Sequence, residues 1–267
     1  MSDKLNIYQY TDNGIGYLVF NRVEKHNAMS MQMWFDLERG LAILDSDPAA
    51  KVIVLKSNAP RTFSAGGDIA LFQEIADNPD MRDKYRLAIR NGQRAVARTM
   101  KPTIAMINGG CFGAGTTIAT HCDFRFASTN SSFGITPTKI GLVYPLNDTR
   151  QLVDLIGIAM ARRMLLTAQI LSGDEALTCG LIDNLCDADA LEDAVKVFAE
   201  TIASRSQYSV QTIKKTLRCV MDGQVDDDLE TAEWFNQAHE GEDFHEGVSA
   251  FLEKRTPNFK WSSDQES

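Results

Sequence analysis

Two glycine-rich segments, each following an apolar run, carry the residues in this sequence best suited to chemistry. The first is Phe63–Ile69, and the second is Asn108–Gly115, which holds four glycines in eight residues. The runs before them, Val52–Leu55 and Thr103–Ile107, have the β-branched character of buried strands, and we predict a helix that opens at Thr116. Glycine permits close approach to a backbone, and the unpaired N–H groups of a helix start favour an anion. The pattern predicts a site for a phosphate or a developing oxyanion.

The spacing of these glycines argues against the common nucleotide-binding loops. The second segment has no Gly-Lys-Ser/Thr ending, and its glycine order differs from the dinucleotide fingerprint. For either segment alone, a tight turn between a strand and a helix is the structural alternative. Two such segments could each present one N–H group to the same substrate oxygen.

This pair of segments resembles the crotonase (enoyl-CoA hydratase/isomerase) superfamily. Matching stretches follow the family's order through nearly the whole chain: Asn21-Arg22 with Asn27-Ala28, the two glycine segments, Cys122–Ala127, Gly157 with Ala161, Leu166–Ala168 and Gly180–Asp183. The resemblance implies an α/β fold with a crotonase-like ββα spiral core at residues 1–205. It also implies a C-terminal α-helical domain at residues 206–267 that builds a homotrimer or a dimer of trimers.

The resemblance further implies where an acyl-CoA substrate binds. The two oxyanion donors fall on the backbone N–H groups of Gly67 and Ala114, where they would stabilise a thioester enolate. Coenzyme A, as part of the substrate, would contact Lys25, His26, Ala28, Ala65, Gly66, Gly67, Asp68, Ile69, Phe251 and Lys254. For any one of the lysines, a solvated surface side chain is the alternative. We expect no separate cofactor and no metal.

Two departures from the family bear on the reaction. Hydratases of this family activate water with two glutamates, and the corresponding positions here hold Thr117 and Pro137. Without these carboxylates, general acid–base activation of water has no evident agent. We therefore do not expect ordinary hydratase activity.

One branch of the family, that of methylmalonyl-CoA decarboxylase, is similar at Thr136-Pro137, at Gly141–Tyr144 and in the run 242–259. That branch has a histidine where this chain has Gly67. Loss of carbon dioxide from a malonyl-type thioester gives the same enolate without a base, provided the carboxylate is held out of the thioester plane in a dry pocket. We predict that Tyr144 orients this carboxylate, with Thr136 as a polar neighbour; packing of the Tyr144 ring, with its hydroxyl at the surface, is the alternative.

Three functions remain open at this point. The first is decarboxylation of a short malonyl-type (methylmalonyl) acyl-CoA. The second is hydration or isomerisation of an enoyl-CoA with non-standard acid–base residues. The third is a catalytically silent acyl-CoA-binding subunit.

The elements that must position these residues show clear local signals. We predict a hairpin over residues 5–20 that turns at Asp12–Gly14, and a helix capped by Ser30. Residues 70–80 are polar and predict a mobile flap, and residues 82–99 predict a surface helix. After residue 206 only helices are expected, over 207–222, 226–239 and 244–254.

Composition excludes several other classes of protein. The chain has 267 residues and a formal net charge of -9, which disfavours nucleic acid and anionic membranes as partners. No apolar run approaches the ~18 residues of a membrane span, and we see no signal peptide. The five cysteines include no Cys-x-x-Cys pair, so we expect free thiols in a reducing compartment and a cytoplasmic protein. Cys111 is expected to fill space and not to act as a nucleophile.

Overall fold

A computed structural model describes residues 5–261. Residues 1–4 and 262–267, at the outer ends of the two predicted units, lie outside the described residues. The strands are β1 Ile7–Asp12, β2 Ile15–Phe20, β3 Val52–Ser57, β4 Thr62–Ser64, β5 Thr103–Ile107, β6 Gly110–Phe112, β7 Phe124–Ser128, β8 Ser132–Gly134, β9 Ile170–Ser172 and β10 Asn184–Cys186. The helices are α1 Met31–Ser46, α2 Ile69–Ala76, α3 Pro79–Arg98, α4 Ala114–His121, α5 Leu146–Thr167, α6 Gly173–Thr178, α7 Leu191–Ala203, α8 Gln207–Met221, α9 Leu229–Glu240 and α10 Glu242–Glu253.

The strands form two sheets that the chain visits in turn. A six-stranded sheet has the order β1-β2-β3-β5-β7-β10, and a four-stranded sheet has the order β4-β6-β8-β9. Each of the pairs β3/β4, β5/β6 and β7/β8 gives one strand to each sheet before the chain turns into a helix. Apart from β1 with β2 and β8 with β9, the pairings are parallel. This is the ββα spiral that the resemblance implied.

The elements with strong local signals form where the sequence predicts them. Asn13 and Gly14 both have positive φ angles, 48° and 82°, as a two-residue hairpin turn of type I′ requires. Ser30 Oγ accepts a hydrogen bond from the Met33 amide at 3.3 Å and so caps α1. The apolar stripe of α1 is 0–1% exposed and packs into the main core; it comprises Met33, Leu37, Leu41 and Leu44.

The helix predicted over residues 82–99 forms as part of α3, and the segment before it differs from the expected flap. The expected flap is largely helix α2, whose first turn is capped by the Asp68 carboxylate through the Ala70 amide. The expected surface helix α3 buries one face, which comprises Tyr85, Ala88, Gly92, Gln93 and Val96, and it packs closely against α1. Arginines at intervening positions make this helix polar on average, so its mean polarity does not reveal the buried face.

The second glycine segment also differs from the prediction in detail. Residues 110–112 form strand β6, and α4 opens at Ala114, two residues before the predicted start. Gly109 makes this possible. Its φ is +80°, and a Cβ there would lie 2.0 Å from the Arg61 carbonyl oxygen, so only glycine lets the chain pass.

Within residues 5–261, no helix combines the length and the apolar character that a membrane span requires.

We predict that Gly109→Ala destabilises the protein by about 3 kcal/mol or more, since it adds left-handed strain to a backbone clash. Gly141→Ala is the matched control, because Gly141 also has a positive φ, +73°, but no atom of residues 5–261 lies within 4 Å of its Cβ position. It should cost about 1–2 kcal/mol. Urea unfolding measures both, and equal losses would contradict the assigned role of the Arg61 contact.

Candidate active site

The two glycine segments meet at one point of the fold. Strands β4 and β6 run parallel, with Ser64 paired to Cys111. A Cβ on Gly113 would lie 3.6 Å from the Gly66 Cα, so the backbones touch where these glycines face each other. Gly67 and Ala114, the predicted donors, each come one residue after this contact.

The amide of Gly67 is free, whereas the amides of its immediate neighbours are not. The amides of Ala65, Gly66 and Asp68 donate hydrogen bonds of 2.9, 3.2 and 3.1 Å to acceptors within the protein. For the Gly67 amide, no acceptor is found among the residues that the structure describes. The hydrogen-bonding capacity of Gly67 is therefore available to a ligand.

Ala114 occupies the matching position in the second segment. It is the first residue of α4, where a helix leaves its N–H groups without an intrahelical acceptor. Gly113 turns the chain into the helix with a φ of 48°. Two free N–H groups, one per segment, thus flank the contact between Gly66 and Gly113, as an oxyanion site needs.

An ion pair ties the first segment to the loop before α1. One nitrogen of Arg22, Nη1, lies 2.7 Å from the Asp68 carboxylate and donates to the Ala28 carbonyl oxygen at 2.9 Å. The hydrogen bond from Arg22 holds the pKa of Asp68 below its usual value. Asp68 therefore fixes Gly67 between the cap of α2 and this arginine.

The predicted coenzyme A residues of this region lie side by side. The buried Asn27, with a φ of 54°, donates through Nδ2 to the Phe63 carbonyl oxygen at 3.0 Å and holds its loop against β4. The Ala65 amide donates to the His26 carbonyl oxygen at 2.9 Å. The side chains at this edge that remain exposed are Lys25, His26, Ala65 and Ile69. They could contact a bound nucleotide or pantetheine chain.

Phe251 and Lys254 lie in another part of the chain. Phe251 is on α10 and is 82% exposed, and Lys254 ends that helix in the left-handed conformation. No hydrogen bond, ion pair or cavity found within residues 5–261 joins them to the loops around Gly67. The structure therefore shows no direct contact between these two parts of the predicted coenzyme A site among the described residues.

A cavity of about 920 Å³ lies among the C-terminal helices, and none of its lining residues belongs to the two glycine segments. Its lining is mainly apolar, including Phe244, Val248, Phe251 and Leu252. The predicted oxyanion donors therefore lie outside this cavity.

Tyr144 and Thr117 form a hydroxyl pair one helical turn beyond Ala114. The Tyr144 hydroxyl lies 2.8 Å from Thr117 Oγ1, which is 3.1 Å from the Gly113 carbonyl oxygen. Burial raises the pKa of Tyr144 far above its usual value of 10, so the phenol is neutral. The alternative of a Tyr144 hydroxyl at the surface is wrong, since the group has a partner inside the protein.

The other predicted polar residue, Thr136, lies outside this hydroxyl pair. It precedes a 3₁₀ turn over Pro137–Ile140 and makes no capping hydrogen bond through its side chain. Pro137, at the second glutamate position of the hydratases, is part of that turn. At both glutamate positions, the structure places uncharged residues.

Position 67 has no room for the histidine of the decarboxylase branch. A Cβ on Gly67 would lie 2.7 Å from Cζ of Phe72, an aromatic ring on α2. Any larger side chain at this position requires that ring to move. Glycine in place of histidine at position 67 is therefore coupled to the packing of Phe72 on α2.

A buried acidic group next to this site was not predicted from the sequence. Asp148, 2% exposed, accepts hydrogen bonds from Gln93 Nε2 at 3.0 Å and Asn147 Nδ2 at 2.6 Å. Its Oδ1 lies 4.0 Å from Nε2 of His121, and burial raises the pKa of its carboxyl. No local signal marks Asp148, because its burial depends on α3, 55 residues earlier.

Cys111 is fully buried, and burial raises the pKa of its thiol to about 12. A thiol that stays protonated is a poor nucleophile. This agrees with its predicted role as a space-filling residue.

The chain belongs to the enoyl-CoA hydratase/isomerase family, whose profile matches residues 10–262. It is 33% identical over 251 residues to (E)-benzylidenesuccinyl-CoA hydratase of Thauera aromatica, covering 93% of this chain and 96% of that protein. It is 28% identical over 259 residues to methylmalonyl-CoA decarboxylase of Escherichia coli (strain K12), covering 94% and 98%. A crystal structure from Hyphomonas neptunium, of a protein assigned to the same family, has a TM-score of 0.93 at 34% identity, with coverage of 96% and 98%.

These comparisons confirm the family and the crotonase fold. The chain is a member of an enzyme family that acts on acyl-CoA thioesters. Relatives at similar identity are named mainly for hydration or isomerisation, and one is named for decarboxylation. Membership alone therefore leaves the reaction open.

We predict that Asp68→Asn lowers the stability at pH 7 by about 1 kcal/mol, because it removes the charge that pairs with Arg22. Asparagine retains the capping oxygen for α2. Since the folded pKa of Asp68 lies below 3.8, its contribution is present above that pH and is lost as the pH falls through the folded value. The difference between variant and wild type should therefore shrink in acid. Urea unfolding across pH 2–7 tests this, and a constant difference would contradict it.

Proposed function

We propose that this enzyme decarboxylates a short malonyl-type acyl-CoA, with methylmalonyl-CoA as the first candidate. The observation that carries the proposal is the neutral Tyr144–Thr117 pair at the position where hydratases have a glutamate. A glutamate there would repel a substrate carboxylate, whereas this neutral pair of hydroxyl groups can donate a hydrogen bond to it. The free amides of Gly67 and Ala114 support the thioester part of the proposal.

The reaction would proceed through an enolate. The Gly67 and Ala114 amides donate to the thioester oxygen, and Tyr144 holds the carboxylate out of the thioester plane. The bond between the carboxylate carbon and the α-carbon breaks, its electron pair enters the enolate, and carbon dioxide leaves. One proton from water then completes the acyl-CoA product.

The single proton of Thr117 determines what Tyr144 can donate. When Thr117 donates to the Gly113 carbonyl oxygen, it can only accept from Tyr144, whose proton is then engaged. When Thr117 donates to Tyr144 instead, the phenolic proton is free for the substrate. An arriving carboxylate would favour the second arrangement.

A hydratase or isomerase is the second candidate, and Asp148 is the observation in its favour. Its carboxyl has a raised pKa, and its charge raises the pKa of Tyr144 in turn. Asp148 could therefore exchange a proton through that phenol. A silent acyl-CoA-binding subunit is the third candidate, which would bind the thioester without turnover.

Two assays run in parallel separate these functions. Release of carbon dioxide from methylmalonyl-CoA, without hydration of crotonyl-CoA, is the result we expect. Hydration without carbon dioxide release would assign the hydratase role. Tight binding of both thioesters with neither reaction would assign the silent subunit.

We predict that Tyr144→Phe lowers the decarboxylation rate about ten- to a hundredfold, because a charge-assisted hydrogen bond is worth ~1.5–3 kcal/mol. Calorimetry should show unchanged binding of a saturated acyl-CoA, which has no carboxylate to orient. Tyr10→Phe, on strand β1, is the control. An unchanged rate in the Tyr144 variant would return this residue to a packing role.

We also propose that the C-terminal helices assemble the enzyme into a trimer or two stacked trimers. Apolar side chains there remain exposed in one chain: Phe235 67%, Val248 45%, Phe251 82% and Leu252 73%. Association would cover them.

Sedimentation at micromolar concentration should therefore show a trimer or hexamer. Phe251→Glu should shift the protein toward monomer, because it places a charge on the apolar face, whereas Val225→Glu, 98% exposed outside α8 and α9, should not. A stable wild-type monomer would contradict the assembly.

A further inference from the structure

A phenolic hydroxyl from α3 lies beside the first predicted oxyanion donor. Tyr85 is only 6% exposed, and its hydroxyl oxygen lies 3.3 Å from the point where a Cβ on Gly67 would be. Standard bond lengths then place this oxygen within about 6 Å of the Gly67 nitrogen. An oxygen atom bound to that amide could therefore lie within hydrogen-bond reach of Tyr85.

The ring of Tyr85 is held in place by two aromatic neighbours. Phe72 packs edge-on against it, with the ring centroids 6.2 Å apart and the planes at 67°. Trp34 approaches from α1, where Gly92 leaves room for its indole: a Cβ on Gly92 would lie 2.7 Å from Trp34 Cε3. Packing therefore fixes the position of the hydroxyl group.

Trp34 does not accept the Tyr85 proton. Its indole nitrogen is buried and has no hydrogen-bond partner among the described residues. An indole N–H can only donate, so Trp34 offers the Tyr85 proton no acceptor. No acceptor for the Tyr85 proton is found within residues 5–261. The proton is free for a ligand.

We propose that Tyr85 is a third hydrogen-bond donor to the thioester oxygen of the substrate, beside the amides of Gly67 and Ala114. This deepens the proposed function, and it requires only that an acyl-CoA thioester binds at these amides. Burial raises the pKa of Tyr85 to about 12, so the group stays protonated and serves as a donor and not as a base. Donors fixed where negative charge develops lower the barrier to enolate formation.

The test measures the polarisation of the thioester directly. Propionyl-CoA labelled with ¹³C at the carbonyl is bound to the protein, and the carbonyl stretch is followed by infrared difference spectroscopy. In wild type, the stretch should move to lower frequency than in solution, and in Tyr85→Phe this shift should be smaller. With a substrate that turns over, kcat should fall about tenfold while coenzyme A binding is unchanged.

Two further variants make the result specific. Tyr10→Phe, a partly exposed tyrosine on β1, should keep the wild-type shift. Trp34→Phe keeps an aromatic ring but is smaller and loosens the packing of α1 against α3, so the Tyr85 hydroxyl is less firmly placed and the shift should be intermediate. If Tyr85→Phe does not fold, an unchanged shift in Trp34→Phe overturns the proposal and a reduced one supports it.

A Tyr85→Phe protein with the wild-type carbonyl frequency would overturn the proposal. A wild-type protein that does not shift the carbonyl frequency would overturn it as well, together with the oxyanion role of the amides. Propionyl-CoA carries no carboxylate to lose, so these outcomes do not depend on decarboxylation. Failure of the carbon dioxide assay alone would therefore leave the role of Tyr85 standing.

Discussion

The close contact between two glycine segments is the constraint on which the rest of the structure depends. The Gly66 and Gly113 backbones lie close together, and both residues have the positive φ angles that favour glycine, +106° and +48°. Parallel pairing of β4 with β6 brings the segments together, and Gly109 lets the chain pass the Arg61 carbonyl. Near this contact, the amides of Ala65, Gly66 and Asp68 have acceptors within the protein, and no acceptor for the Gly67 amide is found among the described residues. In the proposed reaction, the Gly67 and Ala114 amides bind the thioester oxygen, and the surrounding side chains determine which reaction follows.

The charges around the contact favour a substrate that brings its own negative charge. Thr117 and Tyr144 are neutral partners, and Asp148 is shielded by two amide side chains and lies near His121. The Asp68 carboxylate is paired with Arg22. A malonyl-type carboxylate would therefore meet hydroxyl groups in place of bare carboxylates. The proposed decarboxylation rests on this arrangement, because the hydratases of the family carry glutamates at the positions of Thr117 and Pro137.

Local signals in the sequence predicted much of the fold, and long-range packing determined the rest. The Asn13-Gly14 turn, the Ser30 cap and the two glycine segments are encoded within a few residues, so they could be located in advance. Tyr85 and Asp148 could not be, because their burial depends on contacts between α1, α3 and α5 that are distant in sequence. The predicted flap is helical in the structure, although Asp68, the residue that caps α2, is a local signal in the sequence. The assignments of Lys254 and Phe251 came from the resemblance and remain predictions.

The central claim is that the Gly67 and Ala114 amides bind the thioester oxygen. A crystal structure of the enzyme with propionyl-CoA, the product expected from methylmalonyl-CoA, tests it most directly. The account predicts that the thioester oxygen lies about 3 Å from both amide nitrogens, with the acyl group facing Tyr144. A thioester oxygen that contacts neither amide, in a complex with the coenzyme A moiety bound at Lys25 and Ala65, would contradict it.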